Sequence, residues 1–251
     1  KIAHSADNHI GCRRYSSTQL QEDYTEAALE TVNQAIHHNA DVLVLAGDLL
    51  HTSRTSAKQP LTLKRIDEVA RGAGLPILAL SGNHDRGEVS WAQVVESKKL
   101  EDGDDVTGGG IFCVDGITVK VRDADGKICR VHGCSVAGRE ALQNYELTPC
   151  DVFMYHGPVL EFFSFGEKDT IPRIEDFPWD SISQIAALGD IHKKGIKVGP
   201  GNKLIGYPGS TLSTQKSEEP EKSFYLYDFD AGETKTIPVR IERETILMGV
   251  S

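Results

Sequence analysis

The sequence predicts an α/β fold, with a sheet-rich core and helices outside. Three observations carry that prediction. Short continuous apolar runs at Val42–Ala46 and Pro76–Leu80 alternate with longer segments whose apolar residues recur at three- and four-residue steps. Asp-Gly pairs separate β-like runs in the second half. The composition, 39% hydrophobic and 25% charged over 251 residues, is globular and excludes disordered, collagen-like and coiled-coil chains. A chain of this length buries roughly three quarters of its unfolded surface and needs no staples.

Ile2–Ala6 reads as the first strand. A helix begins at Thr18, where Gln21 three residues on completes a capping-box pattern. Leu20, Tyr24, Ala27, Ala28, Val32, Ala35 and Ile36 then form one apolar face. Val42–Ala46 is apolar at every position, as expected of a strand covered on both sides. A second helix starts near Pro60, a residue suited to a first helical turn, and faces the core with Leu63, Ile66, Val69 and Ala70. Pro76–Leu80 is a third strand and Trp91–Lys99 a third helix. This βαβαβα order points to a largely parallel sheet with right-handed crossovers. Further on, IFCVDGITVKV and VRDADGKICRV each place Asp-Gly between β-like runs and predict hairpins. Asp151–Tyr155, Gln184–Leu188 and Phe224–Phe229 complete the strands, and one domain over residues 1–251 is expected.

Five cysteines (Cys12, Cys113, Cys129, Cys134 and Cys150) are odd in number and lack CxxC spacing. They predict neither a disulfide framework nor a zinc knuckle, and a reducing compartment is the expectation. No apolar run approaches the ~18 residues of a membrane span. The first strand begins within two residues of the N-terminus, leaving no room for a signal peptide, so a cytoplasmic protein without membrane contact is expected. The net charge of −10, from 27 basic and 37 acidic residues, is opposite to that of most nucleic-acid binders. Bound divalent cations would lessen it, and contact depends on local charge, so the total leaves the partner open.

The chemistry lies after the strands. The first is followed by Asp7-Asn8-His9, the second by Gly47-Asp48 with His51 three residues on, and the third by Gly82-Asn83-His84-Asp85. Val152–Tyr155 leads to His156-Gly157, and Ile185–Leu188 to Gly189-Asp190-Ile191-His192. Open α/β sheets place their sites at these carboxyl ends. In an extended strand end, the Asp-x-His spacing points both side chains the same way. Three Asp, one Asn and three His offer oxygen and imidazole without thiolate, a donor set suited to Mn, Fe or Zn in a hydrolytic site. Seven donors exceed one tetrahedral ion. Shared through a bridging carboxylate, they serve two ions about 3.5–4 Å apart, the arrangement that promotes displacement at phosphorus.

The series DNH…GDLLH…GNHD…HG…GDIH resembles the calcineurin-like metallophosphoesterase superfamily. ADNHIG, AGDLLH, SGNHD and YPGST (Tyr207–Thr211), followed by KSFYLYDFD, are most similar to its SbcD-like DNA-repair nuclease branch. The resemblance implies a β-sandwich of mixed sheets flanked by helices. It implies that Asp7, His9 and His192 hold one metal, that Asn83, His156 and Asp190 hold the other, and that Asp48 bridges them. A hydroxide between the ions would attack phosphorus in line. His84 would protonate the leaving oxygen or stabilise the transition state, and His51 would help near the scissile phosphate.

The implied activity is hydrolysis of DNA phosphodiester bonds, exonucleolytic on duplex ends and endonucleolytic on single strands. Two divalent ions are implied, manganese first, with magnesium or iron as alternatives. DNA is the implied partner, together with an SbcC-like ATPase bound through regions absent from this sequence, and a second copy in a homodimer. The family commonly has GHxH where this chain has Gly189-Asp190-Ile191-His192. A harder oxygen donor there biases the second site towards Mn²⁺ or Mg²⁺ over Zn²⁺. Relatives of the branch also carry a DNA-capping domain and an ATPase-binding helical segment, and this chain stops at Ser251 soon after its last expected strand.

Arg13, Arg14 and Lys193 directly follow metal motifs and are candidates for phosphate contact, with solvated surface the alternative. Phe162, Phe163 and Phe165 read as core packing before a base-stacking platform. His51 has a local hydrogen bond as its alternative role. His37 and His38 suit a helix C-terminus, His4 and His132 fall within strands, and Cys12 reads as a small loop residue. Two other functions fit the same residues: a small-substrate phosphodiesterase or phosphatase, and a metal-binding interaction module without turnover.

Overall fold

A computed structural model describes residues 1–12, 17–51, 58–85, 91, 95, 99–162, 169–214 and 218–241. The strands are β1 (Ile2–Ser5), β2 (Val42–Ala46), β3 (Pro76–Leu80), β4 (Asp105–Val106), β5 (Gly110–Cys113), β6 (Thr118–Arg122) and β7 (Ile128–Gly133). They continue as β8 (Cys150–His156), β9 (Ile182–Gly189), β10 (Gly195–Val198), β11 (Leu204–Tyr207), β12 (Ser223–Asp228) and β13 (Glu233–Pro238). Among the described residues the α-helices of five or more residues are α1 (Thr18–His37), α2 (Lys58–Ala73) and the short α3 (Arg139–Gln143).

Among the described residues the strands form two mixed sheets. One has six strands in the order β13-β12-β1-β2-β3-β5, and the other seven in the order β10-β11-β9-β8-β7-β6-β4. β1, β2, β3 and β5 run parallel, as do β7, β8, β9 and β11. β12 is antiparallel to β1 and β13.

The apolar runs follow from burial on both faces. Val42 and Val44 join Leu78, Leu80, Val152, Met154 and Ile185 in the core between the sheets. Leu43 and Leu45 point the other way, onto Ala28, Val32, Leu63 and Ile66 of the helices. A third core covers the outer face of the second sheet, where Phe153, Tyr155 and Tyr207 meet Phe177 and Trp179. Each fully buried side chain of this size contributes about 1.5–3 kcal/mol relative to exposure. The expected sandwich of mixed sheets flanked by helices is the observed fold.

Several local expectations change. The Asp125-Gly126 turn does join the antiparallel hairpin β6–β7. Asp115-Gly116 does not make a hairpin, because β5 belongs to the first sheet and β6 to the second. The Asp115 carboxylate instead accepts the Ser81 N–H at 2.8 Å, and Gly116 takes the positive φ of 74° that the sharp crossover requires. The α1 cap is Ser17, whose hydroxyl accepts the Leu20 N–H at 3.2 Å, one residue before the expected Thr18. α2 begins at Lys58, two residues before Pro60. The expected helix over Trp91–Lys99 lies for the most part outside the described residues, although Trp91 itself is buried against the helices. All five cysteines are free. Among the described residues, no helix is long and apolar enough to cross a membrane.

Candidate metal centre

β1 and β2 end side by side, and their loops continue the pairing. The Asp7 N–H donates to Gly47 O at 3.1 Å, the His9 N–H to Asp48 O at 3.0 Å and the Ile10 N–H to Leu49 O at 2.9 Å. Asp7, His9 and Asp48 sit at φ 52°, 46° and 52°, and Asp190 at 99°. The Asp-x-His pairs therefore do not converge by extended-strand alternation, as their spacing suggested. Asp7 and His9 are turned by a left-handed backbone that these hydrogen bonds hold in place. Such conformations cost about 1–3 kcal/mol each in non-glycine residues and concentrate at functional sites.

Two glycines make the approach possible. A Cβ on Gly82 would lie 2.1 Å from Asp48 Oδ1, and one on Gly47 would lie 2.1 Å from His156 Nδ1. The loops after β2, β3 and β8 can thus close on one another only without side chains at these points.

The side chains from these strand ends lie close together. His156 Nε2 lies 3.4 Å from Asp48 Oδ1, 3.1 Å from Asn83 Oδ1 and 3.9 Å from Asp190 Oδ1. His9 Nε2 lies 4.0 Å from Asp48 Oδ2 and 3.0 Å from His192 Nε2. The Asp190 N–H donates to both oxygens of Asp7 at 3.1 Å. Donor atoms of Asp7, His9 and His192 lie within 4.8 Å of one another, as do those of Asp7, Asp48 and His156, and those of His9, His51 and His84. Asp48 is central to the group, since His9, His84 and His156 all come within 4.0 Å of its carboxylate.

Hydrogen bonds orient the rings. His156 Nδ1 donates to Ala46 O at 2.8 Å, and His84 Nδ1 donates to His51 O at 2.7 Å. A carbonyl can only accept, so each Nδ1 carries a proton and each Nε2 is the ring nitrogen left for other partners. His192 is held on its Nδ1 side by Glu218 Oε1 at 3.0 Å and Thr214 Oγ1 at 2.8 Å. The His84 side chain is 42% exposed and faces solvent, and the His51 ring stacks on it at 5.4 Å and 17°.

The electrostatics are those of a site where protons and a cation can exchange. Burial pushes the Asp7 acid up to about 7 and His9 down to about 3. Burial also opposes ionisation of His156, but its bond to Asp48 and the nearby Asp7 overcome this and raise it to about 9. Carboxylates and imidazoles packed this closely need positive charge among them, which the proton on His156 supplies here and a bound cation would replace, and Nδ1 of His9 is buried without a hydrogen-bond partner among the described residues. Oxygen and nitrogen donors of this kind suit a borderline or hard divalent ion.

Of the remaining sequence candidates, Lys193 is exposed in the turn directly after His192. Arg13, Arg14, Phe163 and Phe165 lie outside the described residues. Phe162 packs edge-on against Tyr207 at 4.9 Å, which is a core role. Two residues at the centre escape a reading of the sequence. Asp85 stands out there only as part of its motif, yet its buried carboxylate accepts backbone N–H groups from both neighbouring loops. Glu218 gives no signal at all, since nothing local separates it from Glu219 and Glu221.

Comparison with known proteins shows what the chain is similar to. The calcineurin-like phosphoesterase family profile matches residues 1–180. The DNA double-strand break repair protein Mre11 of Methanosarcina acetivorans is 26% identical over 249 residues, covering 96% of this chain and 39% of that protein. The uncharacterized metallophosphoesterase YhaO of Bacillus subtilis is 25% identical over 246 residues, covering 92% of this chain and 57% of that protein. The chain thus spans less than two thirds of either relative. The crystal structure of TT1561 from Thermus thermophilus superimposes with a TM-score of 0.57 at 14% identity, covering 95% of this chain and 98% of that one, and shares its fold.

Proposed function

The chain belongs to the calcineurin-like phosphoesterase family, and from that premise we propose that it is a two-metal phosphodiesterase that cleaves DNA. One observation carries the reading. Donor residues from five strand ends meet: atoms of Asp7, His9 and His192, and of Asp7, Asp48 and His156, lie within 4.8 Å of one another in each group, and Asn83 and Asp190 reach His156 at 3.1 and 3.9 Å. Asp7, His9 and His192 would hold one ion, Asn83, His156 and Asp190 the other, and Asp48 both. The substrate assignment is supported by similarity to a DNA-repair protein along almost the whole chain. Asp190, an oxygen donor, favours manganese or magnesium over zinc.

Divalent cations, when bound, polarise phosphate oxygens and lower the pKa of water towards ~7. The chain's own groups do the rest. Asp48 and the rings of His9 and His156 form the floor of the centre. His84 stands at its mouth, its Nδ1–H tied to His51 O, so that Nε2 is the ring atom free to take a proton from solvent and, once protonated, to pass it to the leaving oxygen. His51 keeps that ring in place by stacking. Lys193, with Arg13 and Arg14, would meet the flanking phosphates.

Labelled duplex DNA with defined ends, incubated across metals and at two salt concentrations, tests the reading. Manganese-dependent degradation that weakens steeply with salt is expected. Turnover of bis-p-nitrophenyl phosphate without DNA cleavage would assign a small-substrate phosphodiesterase instead. Metal binding without turnover of either would assign an interaction module.

A further inference from the structure

His156 and His192 face the same centre, but their outer nitrogens are held by different chemistry. His156 Nδ1 donates to a neutral backbone carbonyl, Ala46 O. His192 Nδ1 meets a carboxylate, Glu218, from the connection between β11 and β12.

Glu218 is surrounded by donors. Oε1 accepts from His192 Nδ1 at 3.0 Å, the Thr214 N–H at 3.1 Å and the Thr214 hydroxyl at 2.6 Å. Oε2 accepts from the Ser210 hydroxyl at 3.0 Å and from Lys222 Nζ at 2.7 Å. Lys222 is only 8% exposed and also donates to Ser210 Oγ at 3.0 Å. The proton count then has one solution. The single hydroxyl proton of Thr214 goes to Glu218, and an ionised carboxylate has none to give, so the proton between them and His192 must be the imidazole's own, on Nδ1. Nε2 is then the ring nitrogen turned towards His9, 3.0 Å away, and the one that can ligate a metal.

We propose that Glu218, with Lys222 as its buried counter-ion, is a positioning residue that fixes the His192 tautomer and sets the metal affinity of the Asp7–His9–His192 half of the centre. The inference rests on the dinuclear reading above. A carboxylate partner makes an imidazole a stronger metal donor than a carbonyl does, and removing such a partner typically weakens metal binding roughly 10–100-fold. The two halves of the centre are therefore tuned differently, one by an anion behind its histidine and the other by a neutral backbone carbonyl behind its own. Gln is not a silent substitute at position 218. Its NH₂ would face either Lys222 and Ser210 or Thr214 and His192, and both sides present donors.

Mn²⁺ is titrated calorimetrically into chelator-stripped wild type and Glu218→Gln. The wild type is expected to take up two ions. The variant is expected to keep one at wild-type affinity and to bind the other roughly 10–100-fold more weakly. Two ions bound at wild-type affinity by Glu218→Gln, even with a lowered melting temperature, would overturn the proposal and leave Glu218 a purely structural residue. A wild type that takes up fewer than two ions would instead overturn the dinuclear reading on which it rests. ¹⁵N NMR of the imidazoles in stripped wild-type protein needs no variant to fold. His192 is expected as the Nδ1–H tautomer, and an Nε2–H tautomer would overturn the proposal directly.

Discussion

Asp85 Oδ1 accepts the backbone N–H of Leu50 at 2.7 Å, fastening the loop after β3 to the loop after β2. Its other oxygen accepts from Leu49 at 3.1 Å and from Gly82 at 2.9 Å. Burial raises the acid to about 6 against these bonds. This clamp holds Asp48 beside Asn83 and His84, because both loops hang on one carboxylate.

Replacing Asp85 with Ala would strand buried N–H groups, each at a cost of about 1–3 kcal/mol. Urea unfolding should show a loss of at least that size, and metal content should fall with it. Asp85→Asn keeps an acceptor and should lose less. An unchanged unfolding midpoint for Asp85→Ala would refute the clamp.

Asp48 is within 4.0 Å of His9 and 3.4 Å of His156, the rings assigned to opposite halves of the centre. Asp48→Ala is therefore expected to release both ions, with metal content by plasma emission approaching zero. Retention of a full pair would contradict the bridging role.

His84 touches Asp48 through its backbone N–H at 2.9 Å, a contact that survives side-chain substitution. His84→Gln should keep its metal and lose turnover by about 10²–10⁴-fold, the usual contribution of general acid catalysis. Loss of metal in step with activity would assign His84 a ligand's role instead.

Two histidines far from solvent predict acid sensitivity. Burial lowers His4 to about 3 and His132 to about 4. Both folded values lie below the unfolded value near 6.5, so as pH falls the unfolded chain takes up these protons first. The stabilising contribution is intact above about pH 6.5 and is lost as pH falls towards the folded values. Asp7 and Asp85, raised by burial, act in the opposite sense, so the sign is read by difference. The stability advantage of wild type over His132→Gln should shrink between about pH 7 and 4.5. A pH-independent difference would exclude the linkage.

Much of this molecule could be read locally. Val42–Ala46 and Pro76–Leu80 announce strands buried on both faces because every residue in them is apolar, and the observed bounds agree. Asp7, His9, Asp48, Asn83, His84, His156, Asp190 and His192 could be singled out because each follows such a run in a short polar motif. β10, β11 and β13 gave no comparable signal, since β10 is largely exposed and β13 exposed at all but one position.

The order of apolar and polar segments alone thus decided that this is an α/β chain with chemistry at its strand ends, since burial and periodicity act over a few residues. Contacts between distant segments decided the rest. Asp115-Gly116 crosses between sheets because the partners of β5 and β6 lie in different layers. Asp7, His9 and Asp48 adopt a left-handed backbone because neighbouring loops bind it there. Glu218 reaches His192 because β11 lies against β9, a neighbourhood set by packing and not by spacing along the chain.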